Sequence, residues 1–245
     1  MNKKLIQKRF EKNLCTYNDN AKIQKKMAQR LIDLLPKTQF DRILEIGCGS
    51  GLLTKLILEN LSFNLYVAND IVKSCSKYIE NLSPDIEFIC ADIEEIIKNS
   101  TNKYDLIISN AAFQWIEDLE GFIKHLFTKL NPNGILLFST FGQENFREIY
   151  HVLGKSLSYR SVNDYDEMFK GIAHKIDEEV HILAFKTPID VLKHIKSTGV
   201  NALDETYWTK SDVINFEKGY NNFCSSHPTL TYNPIYIKLE NSSHG

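Results

Sequence analysis

Long apolar runs are missing from this 245-residue chain: no stretch of eighteen apolar residues occurs, and the start, Met1-Asn2-Lys3-Lys4, opens an amphipathic segment. Neither a membrane span nor a secretory leader is expected, and the expected setting is cytoplasmic. Cysteine is scarce too. The five residues, at 15, 48, 75, 90 and 224, are odd in number, scattered and never spaced C-x-x-C. Reduced thiols are expected, with no disulfide framework and no zinc site. The histidines form no ligand motif, His174 and His181 being the nearest tandem, so no metal is expected. Internal repeats and low-complexity linkers are also lacking, which makes 1–245 read as a single domain.

What is present is an ordinary globular composition, 43% hydrophobic and 24% charged, able to bury a substantial core. The net charge of −2 conceals an asymmetry: residues 1–30 carry nine basic side chains against Glu11 and Asp19, leaving the remainder acidic. A basic front end suits an acidic partner, protein or nucleic acid; a solvated helical face reads the same way. Leu5, Ile6 and Phe10, then Ile23, Met27, Leu31 and Leu34, predict two helices within 1–36, broken near 16–20 and closed by Pro36.

Strands and helices then alternate. Strands are expected at 42–46, 65–68, 86–90, 104–108 and 135–138. The clearest helix carries Leu119, Phe122, Ile123, Leu126, Phe127 and Leu130, stopped by Asn131-Pro132-Asn133-Gly134. The pattern predicts an α/β fold, a doubly wound, mostly parallel sheet covered on both faces. Beyond 42–141 the alternation ends. Residues 142–178 read as helices and loops forming a lid, and 179–240 as the rest of the sheet. Within that last part, 181–185 and 230–237 are strands, 189–196 is a helix ended by Gly199, and 241–245 fray.

The most informative stretch is Glu45-Ile46-Gly47-Cys48-Gly49-Ser50-Gly51, between an apolar strand and the helical repeat of Leu52, Leu53, Leu56 and Ile57. Glycines at 47, 49 and 51 let a ligand lie on bare backbone. The spacing is not the dinucleotide G-x-G-x-x-G, because Leu52 occupies the final position. It resembles the first motif of the class I S-adenosylmethionine (SAM) methyltransferases. In an open parallel sheet the ligand lies over the carboxyl strand ends. There Asp70, with Ile71, would take the ribose hydroxyls; Asp92 and Ile93 would take the adenine; Asn110 would line the channel toward the acceptor. Glu45 would orient the methionine ammonium, directly or through water. Asp70 or Asp92 could instead simply start a helix.

The acceptor also leaves traces. Methyltransferases of exocyclic amines in nucleic acids or glutamine usually carry an [N/D]-P-P-[Y/F] turn after strand four, and this chain reads Asn110-Ala111-Ala112-Phe113. A nucleic-acid acceptor is therefore not expected. Arg9-Phe10, Thr16-Tyr17, Ala21-Lys22-Ile23-Gln24, the glycine motif, Ser109–Trp115, 192–201 and Leu230-Thr231-Tyr232-Asn233 are together similar to the malonyl-acyl carrier protein O-methyltransferases of biotin synthesis. The likeness spans nearly the whole chain. It implies SAM as donor, an acyl carrier protein (or CoA) bearing malonyl as partner, and Tyr17 capping the cofactor's amino-acid end. Gln114 and Trp115 would line the acceptor channel. A malonyl carboxylate is ionised at neutral pH and needs orientation rather than a base. Arg147 is the expected bidentate partner, with Arg160 in reserve, though a surface arginine would look the same. A methyltransferase of a free small acid or another metabolite, or an inactive partner subunit, are the rival readings.

Overall fold

The computed structural model describes residues 3–155, 157–198, 208–224 and 226–242. Strands β1 (Arg42–Ile46), β2 (Leu65–Asp70), β3 (Glu87–Cys90), β4 (Tyr104–Asn110) and β5 (Leu130–Phe141) pair in parallel, in the order β3-β2-β1-β4-β5. The reversal of order at β1/β4 creates a crevice above the carboxyl strand ends, where this class of fold binds ligands.

Alternation along the strands fills both faces. On β4, Leu106 and Ile108 join one apolar cluster, with Ile23, Met27 and Leu31 of α2 (Lys22–Asp33) and Leu53 and Ile57 of α3 (Leu52–Asn60). Ile107 points the other way, into a cluster with Ile97 of α5 (Ile93–Asn99) and Phe122, Ile123 and Leu126 of α6 (Leu119–Phe127). Each such fully buried aliphatic side chain contributes about 1.5–3 kcal/mol over its exposed state. Asp92 caps α5 by accepting from Glu94 N at 3.1 Å, and Asp118 caps α6 by accepting from Gly121 N at 3.0 Å. The first helix, α1 (Lys3–Asn20), meets α2 at Ala21, which is fully buried. Helix α4 (Ser76–Leu82) packs beside α3.

The second half departs from expectation in three places. First, the lid region is only partly helical. It holds α7 (Arg147–Leu153) and α8 (Val162–Met168), but Ala173–Glu178 forms β6, an edge strand antiparallel to β9 (Pro234–Glu240). Its half-buried, polar alternation hid it. Second, the expected strand 230–237 is two strands. β8 (Thr229–Tyr232) pairs with β7 (His181–Ala184) in a small separate sheet, whereas β9 joins β5 antiparallel.

Asn233 makes the corner between β8 and β9. Its N–H donates to Asn145 Oδ1, its amide donates to Glu178 and to the Glu179 carbonyl, and its Oδ1 accepts from Glu144 N. Pro234 follows with no N–H to offer. Third, Asn241 is tied down rather than frayed: its N–H donates to Gly134 O at 2.9 Å and its carbonyl accepts from Asn133 N at 2.8 Å. Helix α9 (Pro188–Ser197) matches its expected span, but Gly199 lies outside the described residues. Helix α10 (Lys210–Phe223) packs on α7 and α9. No helix among the described residues is long and apolar enough to cross a membrane.

Candidate active site

The glycine turn after β1 is left-handed at every glycine: φ is +71° at Gly47, +53° at Gly49 and +79° at Gly51. Such backbone strains any residue with a Cβ. Asp70 ties the turn to the end of β2. Its Oδ2 accepts from Gly49 N at 2.9 Å and its Oδ1 from Val72 N at 2.8 Å, while Asn69 O accepts from Gly47 N and Cys48 N. Burial pushes the Asp70 carboxyl up from its ordinary range, and these N–H donors pull it back. A Cβ at Gly47 would sit 2.6 Å from Ala112 Cβ, and one at Gly49 would sit 3.0 Å from the Phe10 ring. Gly51 departs from expectation. It does not line the cavity; a Cβ there would strike Leu82 of α4, so its role is packing and backbone conformation.

A cavity opens over these strand ends. Of the residues expected at the cofactor, Tyr17, Glu45, Gly47, Gly49, Asp70, Ile71, Asp92, Ile93 and Asn110 all line it. Helix α1 lies across it. Gln7 Nε2 donates to Ile71 O at 2.9 Å, Phe10 covers Gly49 and meets Tyr17 edge-on, and Asn18 Oδ1 accepts from Ser50 Oγ at 2.6 Å. The Tyr17 hydroxyl is pushed far up by burial and by Asp70, so it remains a neutral donor.

Two carboxylates are more committed than expected. Glu45 is 1% exposed, and its Oε2 accepts from Thr54 Oγ1 at 2.7 Å and from the Tyr66 hydroxyl. Burial raises it to about 7, against the two hydrogen bonds, with Asp70 adding to the rise. A cation arriving nearby would restore its charge. Asp92 uses one oxygen to cap α5 and the other to accept from Lys3 Nζ at 2.6 Å; Lys3 also contacts Glu94. The helix-start reading of Asp92 thus holds beside any role toward adenine.

Toward β4 and β5 the wall changes character. Asn110 Nδ2 donates to the main-chain carbonyl of Gln24, and Ser139 Oγ donates to Asn110 Oδ1. Gln114 and Trp115, in the short helical turn after β4, line the cavity with Gln24, Phe141 and Thr198. Arg147 and Arg160 do not line it. Arg147 Nη1 donates to Glu144 at 3.0 Å in a half-exposed pair, and Arg160 lies beside Tyr165 and Asp164. The chain reaches Arg147 through Phe146, buried with φ +58°, and the arginine that follows turns to its own neighbour.

Sequence reasoning missed Lys3, Gln7, Phe10, Phe141 and Thr198, and gave Gln24 no role. The signal for α1 was available: 3, 7, 10 and 17 share one helix face, and mixed polar and aromatic residues there are unlike a plain core stripe.

The arrangement fits a cofactor with a cationic amino-acid end and a nucleoside: bare backbone at Gly47 and Gly49, and carboxylates at Glu45, Asp70 and Asp92. Among the described residues no three His, Cys, Asp or Glu side chains cluster as a metal site. Residues 20–197 match a family model described as a methyltransferase domain.

A malonyl-[acyl-carrier protein] O-methyltransferase from Calditerrivibrio nitroreducens is 42% identical over 236 residues, 93% of each chain. Proteins of the same name from Chlorobium luteolum (36%; 99% of this chain and 97% of that one) and Haemophilus influenzae (33%; 97% and 94%) are similarly alike. Among solved structures, the YcgJ protein of Bacillus subtilis superimposes with a TM-score of 0.64 at 12% identity, covering 89% of this chain and 99% of that one. The N-methyltransferase NodS of Bradyrhizobium japonicum, in complex with S-adenosyl-L-homocysteine (SAH), gives 0.56 at 12%, covering 96% and 98%. At that identity these two speak to the fold alone.

Proposed function

The chain belongs to the malonyl-[acyl-carrier protein] O-methyltransferase family, and on that premise we propose that it methylates the free carboxylate of a malonyl group carried by acyl carrier protein, in biotin synthesis. It is a SAM-dependent methyltransferase. When bound, SAM supplies a methyl group on a positively charged sulfur. The protein's part is to hold the two reactants in line and keep water out. Gly47 and Gly49 would carry the methionine end on bare backbone, with Glu45 and Tyr17 beside it; Asp70 and Asp92 would take the ribose and adenine, flanked by Ile71 and Ile93. Gln114 and Trp115 would border the acceptor. The acceptor carboxylate, with a pKa of about 4 by analogy with side-chain carboxyls, needs no general base at neutral pH.

The observation that carries this reading is the near full-length kinship to carriers of that name, joined to one cavity that runs from Asp70 to Trp115. Lys4, Lys8 and Lys12 on α1 and Lys22, Lys25 and Lys26 on α2 are all exposed, a basic charge that suits an acidic carrier protein. The chain would act as a single domain in the cytoplasm. The test is mass spectrometry of malonylated carrier protein incubated with SAM and the enzyme. A methyl ester on the malonyl group is expected, with much slower reaction on free malonate; methylation of free acids in preference would transfer the assignment to small-acid chemistry.

A further inference from the structure

Gln24 is a polar side chain in an apolar place. It lies on α2 next to buried Ile23 and one turn from Met27 and Ala28, is 1% exposed, and lines the cavity. Neither its Nε2 nor its Oε1 has a hydrogen-bond partner in the protein. A buried amide left unpaired is costly, and native folds rarely keep one without a reason. Its main chain cannot swing away, because the Gln24 carbonyl accepts from Asn110 Nδ2 at 3.0 Å. That bond ties it to the β4 end of the crevice, the opposite side of β1 from β2 and β3, which carry Asp70 and Asp92. Gln114 stands on the same side: its Nε2 donates to Ala111 O at 2.6 Å, and its Oε1 is buried without a partner.

We infer that Gln24 is the group that binds the acceptor's free carboxylate, through N–H donation from Nε2. This rests on the methyl transfer to a malonyl carrier proposed above. A carboxylate offers acceptors only, and Nε2 offers two N–H donors. Among the described residues lining the cavity the one cation is Lys3, and it is engaged by Asp92 and Glu94. Holding the carboxylate with a neutral amide has a chemical advantage over an arginine. The amide fixes the oxygen's direction, while the negative charge stays available to the sulfonium instead of being shared with a guanidinium. In the transfer, a carboxylate oxygen forms the new C–O bond as the methyl C–S bond breaks. The sulfur leaves as a neutral thioether, and no proton moves. The unpaired Oε1 atoms of Gln24 and Gln114 would then accept N–H groups brought by the acceptor.

The test compares Gln24→Leu, Gln24→Met and Gln24→Glu with the wild type, by steady-state kinetics on malonyl carrier protein and calorimetric titration of SAH. The expected loss in kcat/KM is about 30-fold or more for Leu and Met, and larger for Glu, whose negative charge faces the acceptor. SAH affinity should stay within about threefold, since the donor side is untouched. Met and Glu are close in length to glutamine, so they decide the matter should Leu disturb folding. A wild type that leaves malonyl carrier protein unmethylated overturns the reading beneath this inference. A wild type that methylates it, with Met and Glu variants keeping most of its kcat/KM or losing SAH affinity in parallel, overturns the role of Gln24 alone.

Discussion

The two halves of the cavity differ in how many of their polar atoms are already bonded. On the donor half, Asp70 accepts from Gly49 and Val72, Asn69 from Gly47 and Cys48, and Asp92 from Glu94 and Lys3. On the acceptor half, both polar atoms of Gln24 and one of Gln114 have no partner. The donor half is therefore part of the scaffold, holding β1 and β2 together with or without a ligand. On the acceptor half Asn110 is bonded to Gln24 O and Ser139, and the open amide atoms of Gln24 and Gln114 are the ones we expect a ligand to bond. Substitutions on the first side should cost donor binding and stability together, and substitutions on the second should cost turnover alone.

The sharpest break is Gly47→Ala. A single methyl meets two obstacles, the positive φ and Ala112 Cβ at 2.6 Å. A left-handed alanine costs about 1–2 kcal/mol before any contact is counted. SAH affinity measured by calorimetry should fall about 100-fold or more. Adding Ala112→Gly should recover part of the loss, by removing the clash while leaving the backbone strain. If the single variant binds SAH normally, the turn is not where the donor rests.

This contrast also explains what the sequence made legible. The donor half is written in contiguous or regularly spaced residues: the turn follows β1, Asp70 ends β2 and Asp92 lies just beyond β3, so the strand pattern alone brings them to the cavity. The acceptor half draws on α2, the turn after β4, the end of β5 and Thr198, brought together only by the fold. Gln24 sits in an otherwise ordinary helical stripe, and nothing local distinguishes it from a packed residue. Arg147 stands out in the sequence for the converse reason. Charge and position after β5 suited a carboxylate, but Glu144 lies three residues away on the same turn and takes the guanidinium. Likewise the alternation 230–237 reads as one strand, and only the bonds converging on Asn233 reveal the corner.

A smaller effect separates the halves by pH. Burial holds the Glu45 carboxyl at about 7 in the ligand-free protein, against about 4.3 in an unfolded chain. Between those values the folded state binds the extra proton. Stability of the ligand-free protein should therefore fall as pH rises from about 4.5 to 7, by on the order of 1–3 kcal/mol. The donor's ammonium favours the ionised form, so its binding must expel that proton below pH 7. SAH affinity should weaken on acidification, approaching about tenfold per pH unit, and Glu45→Gln should flatten the profile. Calorimetry from pH 8 to about 5.5, in buffers of different ionisation enthalpy, reads both the affinity and the proton release. An affinity that stays level across that range would remove Glu45 from the ammonium.

The smallest effect is the most discriminating for the acceptor half. Arg147 is 48% exposed, shares its guanidinium with Glu144 at 3.0 Å, and does not line the cavity. Exposed pairs of this kind contribute about 0–1 kcal/mol. Arg147→Ala should therefore leave kcat/KM on malonyl carrier protein within about threefold of wild type, and SAH binding unchanged. A tenfold or greater loss with normal SAH binding would mean that a cation from the outer helix reaches the carboxylate during turnover. The acceptor would then be held by charge, and the neutral-amide account built on Gln24 would fail with it.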